Sequence, residues 1–423
     1  MRYLLLTGLA FLMQVSCYAQ ALSQKYSFER QEPNYIYIDQ NTFYSAQHPY
    51  GYDFNTSPTV NGAFYFSTKV TEGNYQIAIQ VKAADQVKGS FTLKAESRRL
   101  MLLDMPLKAG ENTTKTFMVN VKDKRIASGG EVKLKPREVG KLDWDDKLTI
   151  EFDGNHCRLQ ALTVTKMEEP IPTLYLAGNS TVVNQDNEPW ASWGQMITAF
   201  FKPDVVVANH AESGLSLGSF LSSKRLDKML STMNPNDYLF IEFGHNDQKE
   251  KGPTAGAYGT YSERLRFFVN AVRKKGGIPV IVTSTNRRSF DHAGKIANSL
   301  GDFPEAARKV ADKLNVPLID LNKMTKVLYE ALGPDESKKA FVHYPANTYP
   351  GQDEELEDNT HFNTYGAYQI AQCMLLGIRE ELLAVVPYIK DDVLIYNPTK
   401  PDAVTDWHWP ESPRADITKP DGN

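Results

Sequence analysis

Cysteine is scarce in this chain, three in 423 residues, and one of them, Cys17, sits in the leader-like start. The other two, Cys157 and Cys373, fall in different halves of the sequence. Such a pair is no disulfide framework, and no Cys/His cluster has the spacing of a structural zinc site. Both are expected to be separately buried thiols acting as small hydrophobes. Charge of one sign is also lacking: 47 basic side chains face 51 acidic ones, for a net charge of −4. That balance leaves no electrostatic footprint for nucleic acid. Beyond the first residues no apolar run is long enough to span a bilayer. There is no internal repeat and no calcium loop of the EF-hand kind. These absences leave a globular chain with no cofactor, no metal, no nucleic-acid partner and no membrane span expected.

The start has its own grammar. Arg2 precedes an apolar run from Tyr3 to Met13, and small residues follow up to Ala19 and Ala21. A basic start, a short apolar core and a small residue at the cut make a secretory signal over residues 1–21. Export to the periplasm or the extracellular space is expected. Cys17 raises lipid anchoring as an alternative, but Gln14-Val15-Ser16 is a poor context for it.

Roughly 400 remaining residues exceed one ordinary core, so two domains are expected. From residue 22 to 167 the pattern alternates with period two, as in Tyr75 to Val81, Phe117 to Val121 and Leu162 to Val164, with turn signals between. This predicts an antiparallel β-sandwich. Tyr44, Tyr50 and Tyr52 could stack on sugar rings, but core or loop packing is the preferred reading. Residues 168–172, Glu168 to Pro172, form a proline-bearing linker. From 173 to 388 strands and helices alternate, which predicts an α/β domain with a parallel sheet and helices on both faces. Its strands are expected at Thr173–Ala177, Asp204–Ala208, Tyr238–Phe243, Ile278–Ser284 and Val316–Ile319. Its helices are expected at Trp193–Phe201, Tyr261–Lys274, Phe303–Leu314 and Tyr365–Leu383. The tail 389–423 is rich in Pro and Asp and carries Trp407-His408-Trp409-Pro410, so it is expected to dock on the body.

Four short islands carry the chemistry. They are Gly178 to Thr181, Asn209 to Gly214, Gly244 to Asp247 and Asp358 to His361. Ser180 follows an apolar strand that ends in Gly178, and strand ends are where open α/β sheets place their ligands. A serine hydroxyl needs a base to take its proton, and His361 is the candidate. Asp358, three residues earlier, can bind the other imidazole nitrogen and fix the tautomer. One loop is expected to carry both. Attack on an ester makes an oxyanion, for which the Asn246 amide and the backbone N–H groups of Gly214 and Ser180 are the candidate donors. Activity should therefore fall on acidification as the base takes up a proton. Each piece alone has a plainer reading: Ser180 as a turn residue, Gly214 as a loop glycine, Asn246 as a turn after a strand, Asp358 as the cap of a helix starting near Asn363. Their joint order favours the catalytic reading.

These islands resemble the SGNH, or GDSL-like, hydrolases. The resemblance implies Ser180 as nucleophile, Gly214 and Asn246 as oxyanion-hole donors, and His361 as base oriented by Asp358. It implies a flavodoxin-like fold. Trp193-Gly194-Gln195, Phe243 to Asp247, Arg287-Arg288 and Asp358 to Phe362 followed by Tyr365-Gly366-Ala367 resemble the rhamnogalacturonan acetylesterase branch. That branch implies an acetylated pectic polysaccharide as substrate. The strand-rich half resembles galactose-binding-like jelly rolls, either as a sugar-binding module or as one wall of the cleft. Two positions depart from the family: Asn179 stands where Asp is usual, and Leu215 where many relatives have Arg. Acetylated xylan, a small acyl ester, or a non-catalytic carbohydrate-binding role are the competing readings.

Overall fold

The computed structural model describes residues 23–58, 61–382 and 384–421. The expected leader, residues 1–21, lies outside the described residues.

The first half is two five-stranded sheets. One runs in the order Ile36–Tyr37, Ser23–Ser27, Cys157–Lys166, Gly73–Ala83, Asn112–Val121. The other runs Tyr50–Asp53, Asn61–Lys69, Lys147–Asn155, Gly89–Ala95, Arg99–Leu107. All pairings are antiparallel except the short one between Ser23–Ser27 and Ile36–Tyr37. Alternation decides which side faces in: Ile77, Ile79 and Val81 enter one core with Phe66, Leu93 and Phe152 of the other sheet. Tyr52 belongs to that core and Tyr50 packs against it, so both are packing residues. Tyr44 lies under the Lys147 ammonium, 4.9 Å from the ring centre. Cys157 and Cys373 are buried free thiols in separate cores.

After an irregular stretch through residues 167–172, five parallel strands follow. Their order is Val206–Asn209, Thr173–Gly178, Tyr238–Phe243, Ile278–Thr283, Leu318–Ile319. The three central strands are buried on both faces and are mostly apolar, Glu242 being the charged exception. Leu174, Leu176, Phe240 and Val282 face one helical layer, while Tyr175, Ala177, Ile241 and Ile281 face the other. The helix Phe303–Leu314 lies where the periodicity predicts it; Ser262–Lys274 and Thr364–Glu381 differ only at their ends. The stretch from Trp193 splits into a single α turn and a 3₁₀ turn ending at Phe200.

Three helices escape the pattern: Leu217–Ser222, Arg225–Thr232 and Leu321–Glu336. The first two are short, and the third is broken at Gly333. The last island also sits differently from expectation. Asp358 and His361 lie on the strand Leu356–Phe362 of a hairpin with Phe341–Tyr344, not on a loop. The following helix is capped by Asn363, whose side chain accepts from the Gly366 N–H, and not by Asp358.

The tail docks on the body through its tryptophans. Trp407 and Trp409 stack at 6.1 Å and pack against the core of the parallel-sheet half. The Trp407 indole N–H donates to Thr364 Oγ1 and that of Trp409 to Glu188 Oε1. Among the described residues no helix is long and apolar enough to cross a membrane.

Candidate active site

The loop that carries Ser180 is shaped by what it must avoid. A Cβ on Gly178 would come within 2.4 Å of a Val182 methyl, so only glycine lets the chain turn back here. The turn closes with the Val182 N–H on Asn179 O at 3.0 Å. Asn209, from the neighbouring strand, ties the loop down by donating to Val182 O and Asn184 Oδ1. Gln185 links the loop to the second island, donating to Ser180 O at 3.3 Å and to Ser213 Oγ at 3.5 Å.

Ser180 is thereby presented to the hairpin. His361 Nε2 lies 2.9 Å from Ser180 Oγ, and His361 Nδ1 lies 2.7 Å from Asp358 Oδ2. The other Asp358 oxygen accepts the backbone N–H groups of Thr360 and His361. Burial works to raise the Asp358 carboxyl, but the hydrogen bond and charge of His361 and the two N–H groups outweigh it, holding it down at about 2. A carboxylate so held stays charged and fixes the imidazole orientation. Trp190 meets the His361 ring edge-on at 5.8 Å and excludes water from one side of it.

Gly214 and Asn246 are brought together by a backbone contact, the Asn246 amide donating to Leu215 O at 3.1 Å. One amide hydrogen remains for a ligand. Gly214 has φ +76, a left-handed conformation that favours glycine. Leu215 is buried in the core with Leu217 and Phe220, so its side chain makes no substrate wall. Ser180, Gly214 and Asn246 lie on loops after three neighbouring parallel strands, Gln185 links the Ser180 loop to Ser213 beside Gly214, and the hairpin brings Asp358 and His361 to Ser180.

The unusual Asn179 has a physical context. Its Oδ1 accepts from the Thr181 N–H and hydroxyl, and the same hydroxyl lies 3.0 Å from Glu242 Oε1. Glu242 is fully buried; its desolvation outweighs hydrogen bonds from Trp193 and Thr181 and pushes its carboxyl up to about 7. An aspartate at 179 would set a second carboxylate against it, and the neutral amide removes that repulsion. Trp193 and Gln195 are scaffold residues: Trp193 Nε1 donates to Glu242 at 2.5 Å, and Gln195 Oε1 accepts the Gln185 N–H. Arg288 anchors the hairpin by donating to Asn359 Oδ1.

The strand-rich half and the tail also reach the site, and neither was legible in the motifs. Arg98 is buried and donates to Trp190 O at 2.8 Å, with its guanidinium paired to Glu188. Segment 414–421 runs across the cleft. Arg414 O accepts the Glu188 N–H, the Asp416 N–H donates to Glu188 O, and Trp190 Nε1 donates to Asp416 O. Lys419 Nζ lies 3.6 Å from Asp358 Oδ2. Ser180 is only 3% exposed. An open cavity of about 380 Å³ is lined in part by Arg137, Lys141, Asp186, Trp190 and Arg414; it reaches Trp190 and Gln185, which contact His361 and Ser180. Among the described residues no group of three or more His, Cys, Asp or Glu could hold a metal ion.

Comparison with known proteins adds the following. The GDSL-like Lipase/Acylhydrolase family matches residues 176–367. Over 216 residues the chain is 44% identical to the rhamnogalacturonan acetylesterase RhgT of Bacillus subtilis (strain 168), covering 51% of this chain and 92% of that one. It is 30% identical over 210 residues to the probable rhamnogalacturonan acetylesterase YesY of the same organism, covering 49% and 92%. A rhamnogalacturonan acetylesterase of Emericella nidulans is 24% identical over 226 residues, covering 49% and 84%.

Proposed function

The chain belongs to the GDSL-like acylhydrolases and is a carboxylic-ester hydrolase, and from that premise we propose that it removes acetyl groups from a pectic polysaccharide of the rhamnogalacturonan type. The observation that carries the mechanism is the continuous line of hydrogen bonds from Asp358 through His361 to Ser180 Oγ. In this reading His361 Nε2 takes the Ser180 hydroxyl proton as Oγ bonds to the acetyl carbon. The carbonyl oxygen becomes an oxyanion, met by the N–H groups of Ser180 and Gly214 and by the Asn246 amide. The intermediate collapses as the bond to the sugar oxygen breaks, and His361 returns the proton to that oxygen. Water then attacks the acetyl-serine, His361 accepting its proton and passing it back to Ser180 Oγ as acetate leaves. Asp358 keeps the imidazolium oriented throughout and is not itself protonated. The substrate class rests on the relatives, and the basic start and short apolar core of the leader support export to where pectic polymers are met.

The test is acetate release from acetylated rhamnogalacturonan by the full chain, beside Ser180→Ala and with acetylated xylan for comparison. Release from the pectic polymer, absent in the variant, is expected. Faster release from xylan would replace the substrate; wild-type rates in Ser180→Ala would overturn the mechanism.

A further inference from the structure

The loop Lys133 to Trp144 belongs to the strand-rich half, yet it ends against the catalytic residues. Lys135 Nζ donates to Ser213 O at 2.7 Å, one residue before Gly214. Arg137 donates through Nε to Glu212 Oε1 at 2.9 Å. Glu138 fixes the loop from below, accepting the Lys135 N–H and pairing with the buried Arg225 guanidinium. The two cations are thus held in place and are not free-swinging surface groups; each keeps about a quarter of its side chain exposed. What they hold is a carboxylate. Asp421 Oδ2 lies 2.9 Å from Lys135 Nζ, and Asp421 Oδ1 lies 3.7 Å from an Arg137 terminal nitrogen. The Asp421 side chain lies directly over Gly214: a Cβ built on that glycine would come within 2.7 Å of Asp421 Cβ and 3.0 Å of Lys135 Nζ.

We propose that Lys135 and Arg137 form a carboxylate subsite beside Gly214 that receives a uronate carboxyl of the polysaccharide, and that Asp421 is its internal stand-in. The proposal rests on the acidic pectic substrate proposed above and says how such a polymer is told from a neutral one. A lysine and an arginine converging on one point suit a carboxylate: Lys135 donates to it directly, and the Arg137 terminal nitrogen not engaged with Glu212 adds positive charge 3.7 Å away. Other charges in the neighbourhood are already matched: Lys141 pairs with Asp186, and Glu212 is met by Arg137. Lys135 has Asp421 as its acidic partner, so withdrawal of the tail leaves an ammonium facing the cleft. The Asp421 side chain remains half exposed, which suits an occupant that must leave. A tethered carboxylate acts at an effective concentration of the order of millimolar, enough to fill the subsite at rest and low enough for a polymer to displace it. Lys135 and Arg137 lie outside residues 176–367, so the family match alone does not supply this subsite.

The test uses the full chain and an unacetylated oligogalacturonide as inhibitor of 4-nitrophenyl acetate hydrolysis. Wild type should be inhibited, and the inhibition should weaken with salt, since exposed charges are screened. Lys135→Met with Arg137→Gln should raise the inhibition constant by about tenfold or more, the scale of lost charged hydrogen bonds. Asp421→Asn should lower it, because the internal competitor is weakened. Lys135→Arg should restore most of the wild-type value. A cooperative thermal transition would show that the double variant is folded; if it is not, the Asp421→Asn result stands by itself. Equal inhibition constants in wild type, the folded double variant and Asp421→Asn would overturn the subsite. Failure to release acetate from rhamnogalacturonan would sink the substrate reading instead, and it is read in a separate assay.

Discussion

The two halves of the molecule use charge in opposite ways. In the parallel-sheet half, the polar residues that matter stand at strand ends, where four islands converge on Ser180. In the strand-rich half, charged residues are driven into its contacts with the rest of the chain: Arg98 against Glu188 and Glu138 against Arg225 across to the parallel-sheet half, and Lys94 with Glu151 beneath the tail, all essentially buried. Buried ion pairs add little net stability compared with apolar packing, but they are costly to break and they fix a register. The lesson is that the parallel-sheet half carries the candidate catalytic residues while the strand-rich half holds one wall of the cleft at a fixed position. Trp190 shows the join: its ring lies against His361 and its carbonyl accepts from Arg98.

Substitutions can break that division of labour or sharpen it. Ser180→Ala should have the largest effect, a loss of turnover of about 10⁴-fold or more on any acetyl ester, with the unfolding midpoint unchanged. Arg98→Ala should come next. It leaves Glu188 buried without its partner and should cost about 3–5 kcal/mol in urea unfolding. If it lowers activity but not stability, the wall is a catalytic element and the division fails. Asn246→Ala should cost about 3 kcal/mol in kcat/KM, the scale of one oxyanion donor, with little change in stability.

Asn179→Asp tests the electrostatics beneath Ser180. Glu242 titrates near 7 in the fold, above the ordinary carboxyl value of 4.5, so the folded chain binds the extra proton. Its contribution is therefore full at low pH and is lost as pH rises from 4.5 toward 7. A second carboxylate beside it should steepen that loss, costing about 1–3 kcal/mol at pH 8 and less at pH 5. A penalty independent of pH would remove the charge argument. Asp358 runs the other way. Its carboxyl is depressed to about 2, so its stabilisation is present above its ordinary value of 3.8 and is lost as pH falls toward 2. Asp358→Asn should make acid unfolding shallower over that window, the smallest of these effects, while also lowering turnover.

How much was legible follows from where information is local. Buried parallel strands announce themselves as apolar runs, and the long helix Phe303–Leu314 announces itself by period. Leu217–Ser222 and Arg225–Thr232 complete too few turns for a period to emerge. The hairpin under His361 was hidden because Asp358 and Asn359 look like turn residues. Asp358 instead uses its carboxylate to hold the backbone of its own strand.

By itself the sequence determined the reaction class and the order of the site. A serine, oxyanion donors and a histidine paired with an aspartate are what ester hydrolysis of this class requires, and each motif is only a few residues long. Tertiary structure alone decided what surrounds them. Lys135 and Arg137 reach Ser213 and Glu212 across 78 and 75 residues of chain, and Asp421 reaches Lys135 across 286. Contacts at such separations leave no periodicity and no spacing in the sequence. They exist because burying two cores against each other brings one domain's charged loop, and then the tail, to the mouth of the other's cleft.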